Sequence, residues 1–311
     1  MDISIVTTMY YSSPYLKEFY RRIKVEVEKV TDNYEIIFVN DGSPDDSLEV
    51  AVSIYEENSK IRVVDLSRNF GHHKAMMTGL SYAKGEKIFL IDCDLEEEPE
   101  LFSLFYQQLL DRNCDVVYGV QKIRKGGIFE QLSGAFFYRL LSYLADVDLP
   151  QNIVTARLMS RKYVKSLLRF REREVFLAGV WHITGYEQVP MYVVKHSKSE
   201  TTYSFSKKMN ILVNAVTSFS NKPLIYIFYI GLFMALISAI FILDLVRRKL
   251  LFNTTLVGWT SLIVSIWFIG GLIICFLGVI GMYISKIFIE TKNRPYTIVR
   301  QLYQRLEKHE Q

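Results

Sequence analysis

The densest group of side chains able to do chemistry is Asp92-Cys93-Asp94-Leu95-Glu96, directly after the apolar run Lys87–Ile91. Alternation along the strand points Asp92, Asp94 and Glu96 to one side and Cys93 and Leu95 to the other, so three carboxylates converge at one strand end. Three carboxylates that close repel one another unless a cation sits among them. Hard oxygen ligands suit Mg²⁺ or Mn²⁺, which would bridge acidic side chains to the phosphates of a nucleotide. The competing reading is a solvated acidic loop, because Glu97, Glu98 and Glu100 continue the run. Cys93 reads as core filler.

A second candidate is Asp41, where an apolar strand runs into Asn40-Asp41-Gly42-Ser43. A bare Asp-Gly is usually a tight turn. Here it caps a strand and precedes a helix, so Asp41 is also placed to accept hydrogen bonds from a base or ribose. His72 and His73 follow Asn69-Phe70-Gly71; such a pair is most often structural or superficial. Neither GxGxxG nor GxxxxGK[ST] occurs, which removes the usual glycine-rich phosphate cradles. Phosphate must then be held through a metal and basic side chains.

The elements that position these residues alternate in kind. The runs ISIVTT, EIIFVN, IRVVDL and KIFLID read as strands, separated by helices near 14–30, 47–58 and 74–83. That alternation predicts a parallel sheet covered by helices on both faces. Ligands of such sheets bind beyond the carboxyl ends of the strands, where Asp41 and Asp92 fall.

Composition narrows the class. The net charge of +4 over 311 residues offers no basic stripe for nucleic acid. Cys93, Cys114 and Cys275 are far apart, without CxxC pairing, so neither a zinc site nor a disulfide framework is expected and a reducing compartment fits. The opening MDISIVTTMYYSS lacks the basic and apolar regions of a signal peptide, so the N-terminal part is expected to be cytosolic.

The apolar residues collect towards the C-terminus. From Leu224 to Val246 the only charge is Asp244, and Leu256 to Ile284 contains none. Runs of that length and character read as membrane-spanning helices. The short segment 247–255 between them predicts a hairpin with both flanks on one side. Lysines and arginines before and after the pair favour cytoplasmic flanks. Gly270, Gly271, Gly278 and Gly281 offer small-residue surfaces for helix approach or self-association. Residues 205–219 show amphipathic spacing, suited either to the headgroup layer or to an ordinary core-facing helix.

Taken in order, Asp41-Gly42-Ser43, SRNFGHHKAMMTGL at 67–80, DCDLEEEPE at 92–100, RLMSRKYVKSLL at 157–168, TSFSNKPL at 217–224 and the run ending GVIGMYISKIFIETKNRPYTIV resemble the family-2 glycosyltransferases that load sugars onto polyprenyl phosphate. Dolichyl-phosphate-mannose synthase-like and bactoprenol glucosyltransferase-like enzymes belong to that class. The resemblance implies an α/β fold of GT-A type, a Rossmann-type nucleotide-sugar-binding domain over 1–204. An amphipathic juxtamembrane segment (205–223), a transmembrane hairpin (224–246 and 256–284) and a basic cytoplasmic tail (285–311) would follow.

The resemblance also implies roles. Thr8, Tyr10, Asp41, Asp92 and Lys198 would bind the nucleotide-sugar, while Asp94 and Glu96 would hold Mg²⁺ or Mn²⁺. Asp92, Asp94 and Arg157 would be catalytic. Lys122, Arg124, Lys125 and Arg139 would meet the acceptor phosphate. The expected partners are a nucleotide-sugar, undecaprenyl phosphate or a similar lipid, the inner-membrane bilayer and a second copy of the chain.

The pattern departs from the family in places. Thr8-Met9-Tyr10-Tyr11-Ser12 replaces a P-x-Y-N-E stretch, and Glu96 stands where a neutral Gln is common. Val154-Thr155-Ala156-Arg157-Leu158 replaces G-D-F-R-L and loses its acid, and Ala178 replaces an arginine. Two alternatives stay open on these grounds: the same donor chemistry with another membrane acceptor, or a non-catalytic membrane scaffold.

Overall fold

A computed structural model describes residues 1–121, 152–172, 177–196, 213, 216, 217, 220–252 and 258–305. The chain divides into two compact units, one of residues 1–138, 147–204 and 294–311 and the other of residues 139–146 and 205–293.

The first unit is built on an eight-stranded sheet. Its strands are β1 (Ile3–Met9), β2 (Tyr34–Asn40), β3 (Ile61–Leu66), β4 (Lys87–Leu90), β5 (Val116–Gln121), β6 (Ile153–Ser160), β7 (Gln188–Val193) and β8 (Val299–Tyr303). They lie in the order β7-β5-β6-β4-β1-β2-β3-β8. The expected parallel block is present as β4-β1-β2-β3. Strands β1 and β2 are buried along their whole length, as strands covered on both faces must be. The helices are α1 (Ser13–Glu28), α2 (Ser47–Glu57), α3 (His72–Tyr82), α4 (Leu101–Arg112), α5 (Arg161–Leu167) and α6 (Leu177–Ile183).

On one face Ile5, Phe38, Phe89 and Leu158 join a core with Phe19 of α1, Ile54 of α2 and Phe102 and Phe105 of α4. On the other face α3 lies close to the sheet. A Cβ on Gly79 would sit 2.5 Å from Val6 Cγ1 and 2.8 Å from Val39 Cγ2, so only glycine lets the helix approach that far.

Two strands depart from the sequence expectation. Strand β6 inserts antiparallel between β4 and β5, giving a mixed sheet where alternation had suggested a parallel one. Strand β8 comes from the segment expected as a basic tail and adds antiparallel to the outer edge of β3. An open edge of unpaired amides and carbonyls invites association, and β8 covers it.

The second unit contains α7 (Lys222–Phe252) and α8 (Trp259–Thr291). Among the described residues one helical stretch, Ser265–Thr291, is long and apolar enough to cross a membrane, with a mean hydropathy of 2.3 and no burial inside the structure. In α7 the apolar stretch within the described residues is the shorter Lys222–Ser238. Asp244, the one charge of the first apolar run, pairs with Arg247 at 2.8 Å. Tyr283 donates to the Ser220 carbonyl at 2.7 Å, tying α8 to the residues just before α7. A Cβ on Gly270, Gly271, Gly278 or Gly281 would meet nothing within 4 Å. The glycines expected to let helices approach therefore pack against nothing here. Most of the amphipathic stretch 205–219 lies outside the described residues.

Candidate active site

A cavity of about 330 Å³ opens at the carboxyl ends of β1, β2 and β4. It is lined by Thr8, Met9, Tyr10, Ser12, Asp41, Asn69, His72, Asp92, Cys93 and Asp94. Five residues singled out from sequence, Thr8, Tyr10, Asp41, Asp92 and Asp94, are thus brought together by parallel strands that end side by side.

The acidic loop differs from the expected pleat. Strand β4 stops at Leu90 and Leu95 takes a left-handed φ of 61°, so alternation does not carry through to Glu96. The amide of Glu96 donates to Asp94 Oδ1 at 2.9 Å, closing a local turn. The Glu96 carboxylate goes to Lys195, 3.1 Å away, and is not part of the cavity lining. The predicted trio is therefore a pair, Asp92 and Asp94. Among the described residues no group of three or more His, Cys, Asp or Glu forms a ready metal cluster.

Electrostatics at the pair still favour a cation. The His72 Nε2 lies 3.3 Å from Asp92 Oδ1, but without hydrogen-bond geometry, so that buried oxygen has no directed partner among the described residues. Burial works to raise the Asp92 pKa, but the His72 contact and charge, with Thr155 and Lys195, hold it below the usual carboxylate range. Asp94 shifts the other way: burial, then repulsion from Asp92 and Glu96, raise it despite the Glu96 amide. Two hard carboxylates, one with an orphaned oxygen and one destabilised as an anion, are a donor set that fits Mg²⁺ or Mn²⁺.

His72 is more involved than a superficial pair would be. Its Nδ1 sits 3.0 Å from Thr8 Oγ1, so the ring bridges β1 to the acidic loop from the first residue of α3. Burial opposes the charged imidazole, yet Asp92, Asp41 and Asp94 together raise its pKa above the ordinary value.

Asp41 reaches the cavity but is already engaged. Its two oxygens accept from the amides of Phe70 at 2.7 Å and Gly71 at 3.0 Å. It thereby shapes the loop that carries Asn69. Gly42 has a φ of 62°, and a Cβ there would lie 2.5 Å from the backbone of Arg68 and Asn69. The Asp-Gly pair is thus a turn and a site element at once.

Sequence reasoning missed two organising carboxylates. Glu97, fully buried, accepts from the amides of Thr155 at 3.0 Å and Ala156 at 2.7 Å, stitching the acidic loop to β6. Burial, with the Asp92 charge adding, pushes its pKa up to about 7. Asp45 accepts from Ser43, from Ser47 Oγ at 2.6 Å and from the Ser13 amide at 3.2 Å. It holds the Tyr10–Ser13 wall against the 43–47 turn. No local signal separates Glu97 from its acidic neighbours.

Lys195 and His196 are clamped to the acidic loop. Lys195 pairs with Glu96, and His196 donates its amide to the Glu96 carbonyl at 2.8 Å while its ring contacts Glu98 at 3.0 Å. Cys93 is core as expected, donating to the Thr8 carbonyl at 3.0 Å, with burial raising its thiol to about 12.

Arg157 does not reach this cavity. It is buried on β6 and lines a second cavity with Trp181. Lys122, Arg124, Lys125, Arg139 and Lys198 lie outside the described residues.

Comparison with known proteins agrees with this architecture. Residues 4–168 match the model of glycosyl transferase family 2. The chain belongs to that family and is a glycosyltransferase. It is 50% identical over 303 residues to a Mycobacterium tuberculosis glycosyltransferase, covering 97% of this chain and 89% of the relative. It is 30% identical over 306 residues to the bactoprenol glucosyl transferase of Shigella phage SfII, covering 96% and 98%. Among solved structures, the mannosyltransferase PcManGT of Pyrobaculum calidifontis, in complex with GDP-Man and Mn²⁺, aligns with a TM-score of 0.50 at 14% identity. That alignment covers 70% of this chain and 63% of the other, a likeness of fold.

Proposed function

We propose that the chain transfers a hexose, or a modified hexose, from a nucleotide-sugar to a polyprenyl phosphate such as undecaprenyl phosphate, with inversion, at the cytoplasmic face of a membrane. The observation that carries the donor half is the Asp92 and Asp94 pair at the mouth of a cavity whose other walls are Thr8, Tyr10, Asp41 and His72. The acceptor half is supported by the similarity to a bactoprenol glucosyl transferase along nearly the whole length of both chains.

In this reading Thr8, Tyr10 and the Asn69 loop held by Asp41 form the nucleoside wall. Asp92 and Asp94 would hold Mg²⁺ or Mn²⁺, which as a Lewis acid stabilises charge on the departing diphosphate. His72, its pKa raised by Asp92 and its neighbours, bridges Thr8 and Asp92 and fixes their orientation. Glu97 keeps the loop pinned to β6 and Lys195 ties it to the segment after β7, so the carboxylates stay in place as the leaving group gains charge. A phosphate acceptor is already anionic near neutral pH and needs little general-base help, so positioning two anions is the main task.

Helices α7 and α8 would form a two-pass anchor with the sheet unit and β8 in the cytosol, and homo-oligomerisation through the glycine-bearing face of α8 belongs to the same proposal. Lys122, Arg124, Lys125 and Arg139 are its candidates for the acceptor phosphate, and Lys198 for the donor. A second reading keeps the donor chemistry but uses another membrane acceptor. It is favoured by Ala178 and Thr155, which stand where the resemblance expects an arginine and an acid.

The deciding experiment measures nucleoside diphosphate release by the detergent-solubilised protein from a panel of nucleotide-sugars, with Mg²⁺ or Mn²⁺. Release stimulated by undecaprenyl phosphate and lost in Asp94→Ala is the expected result. A donor that binds but is never turned over with the lipid phosphate moves the assignment to another acceptor.

A further inference from the structure

The second cavity, about 410 Å³, has a different chemistry from the first. Its lining includes Tyr118, Arg157, Trp181, His182, Tyr186 and Gln188, and no carboxylate among the described residues. Arg157 is only 1% exposed, and a guanidinium has five N–H donors to satisfy. Its hydrogen bonds among the described residues are two long ones, Nε to the Thr155 carbonyl at 3.3 Å and Nη2 to the Val154 carbonyl at 3.5 Å. Neither acceptor is charged. Among the described residues no Asp or Glu pairs with Arg157, although such a partner is what a buried structural arginine ordinarily has.

Trp181 supplies an independent observation. The Arg157 guanidinium lies over its ring, yet the indole N–H, buried, has no acceptor among the described residues. Buried donors without acceptors are uncommon in folded proteins. Here one such donor, the indole N–H, and a buried guanidinium with two long bonds to neutral carbonyls belong to side chains that line one cavity. Burial pulls the guanidinium pKa down to about 9, outweighing the opposing influence of Tyr163, Glu97 and Tyr118.

We propose that this cavity is an oxyanion site that takes a phosphate group between the Arg157 guanidinium and the Trp181 indole N–H. Its size lies within the range of small-molecule pockets, leaving room for an organic substituent on the phosphate. Tyr118, Tyr186 and His182 line the same space. Arg157 lies two residues along β6 from Thr155, whose backbone is held by Glu97, so the two cavities flank one stretch of strand. The phosphate has two possible sources, free phosphate or the head of an isoprenyl phosphate. The site stands on its own geometry whichever acceptor the enzyme uses.

The test is calorimetric titration of the full-length, detergent-solubilised protein with inorganic phosphate and, separately, with geranyl phosphate, in EDTA. The expected result is saturable binding of at least one probe. Arg157→Met should weaken it at least about tenfold, because a charged hydrogen-bonding partner is lost. Trp181→Phe keeps a ring beneath the guanidinium but removes the N–H, and should also weaken it by roughly tenfold. Binding of the two probes with similar affinity points to free phosphate, and binding of geranyl phosphate alone points to the lipid. Both variants should keep the parent affinity for nucleoside diphosphate in Mg²⁺, which verifies their fold and separates this site from the donor cavity. The proposal is overturned if neither probe binds, or if binding survives Arg157→Met and disappears in Asp92→Asn.

Discussion

His72 and Asp92 meet in the lining of the cavity at 3.3 Å, an imidazole from the start of α3 set against a carboxylate just beyond β4. Because Thr8 holds the other ring nitrogen, the imidazole cannot turn away without losing two contacts. Asp92→Asn removes the charge that His72 answers and that the proposed metal would answer, and turnover should fall at least about 100-fold, the scale of losing a central electrostatic group. His72→Gln should cost about tenfold, since a neutral amide can bond Thr8 but brings no charge. Nucleoside diphosphate release reads both, and an Asp92→Asn enzyme within threefold of the parent would sink the assignment.

Glu97 gives a pH signature in the absence of metal. Its folded pKa, about 7, lies above the ordinary carboxylate value, so between those two values the folded chain binds more protons than the unfolded one. Stability from this group is fully present below the unfolded value and is lost as pH rises through about 7. The size is on the order of a few kcal/mol. Denaturant titrations in EDTA at pH 5 and pH 8 should show the loss in the parent and a flatter profile in Glu97→Gln. Equal slopes in the two proteins would remove Glu97 as the cause.

Gly42 is constrained twice, by its left-handed backbone and by the Arg68 and Asn69 backbone against its α-carbon. Gly42→Ala should cost about 2 kcal/mol through strain and displacement. It should also weaken nucleotide binding, since Asn69 lines the cavity. Thermal denaturation together with a nucleoside diphosphate titration checks both effects. An alanine protein with unchanged melting temperature would show that the turn has another solution.

The β8 strand ties the C-terminal segment to the donor side. Ser67 donates its amide to the Ile298 carbonyl at 2.9 Å, and Arg300 donates to the Ser67 carbonyl at 2.7 Å. Arg300 also lies 3.6 Å from the buried Asp65. Ending the chain after Asn293 should expose the β3 edge and loosen residues 67–71. Hydrogen exchange should speed up at β3, and nucleotide affinity should fall by roughly tenfold, the effect of losing one or two net hydrogen bonds. Unchanged protection at β3 would mean that β8 contributes nothing to the edge.

The sequence by itself determined the α/β alternation, the apolar C-terminal segments and the meeting of Thr8, Tyr10, Asp41, Asp92 and Asp94 at one cavity. Parallel strands joined by helices must end on the same side, so local pattern suffices to bring those residues together. Tertiary structure alone decided the fates of Glu96 and Glu97. Neighbours in one acidic run, they part because the left-handed Leu95 breaks the pleat and the Thr155 and Ala156 amides of β6 require a buried acceptor. Arg157 was likewise legible as important but not as to place, because the antiparallel insertion of β6 puts it under Trp181. Strand β8 left no local trace either, since an edge strand is chosen by the edge it covers, and that edge is formed by residues more than 200 positions earlier in the chain.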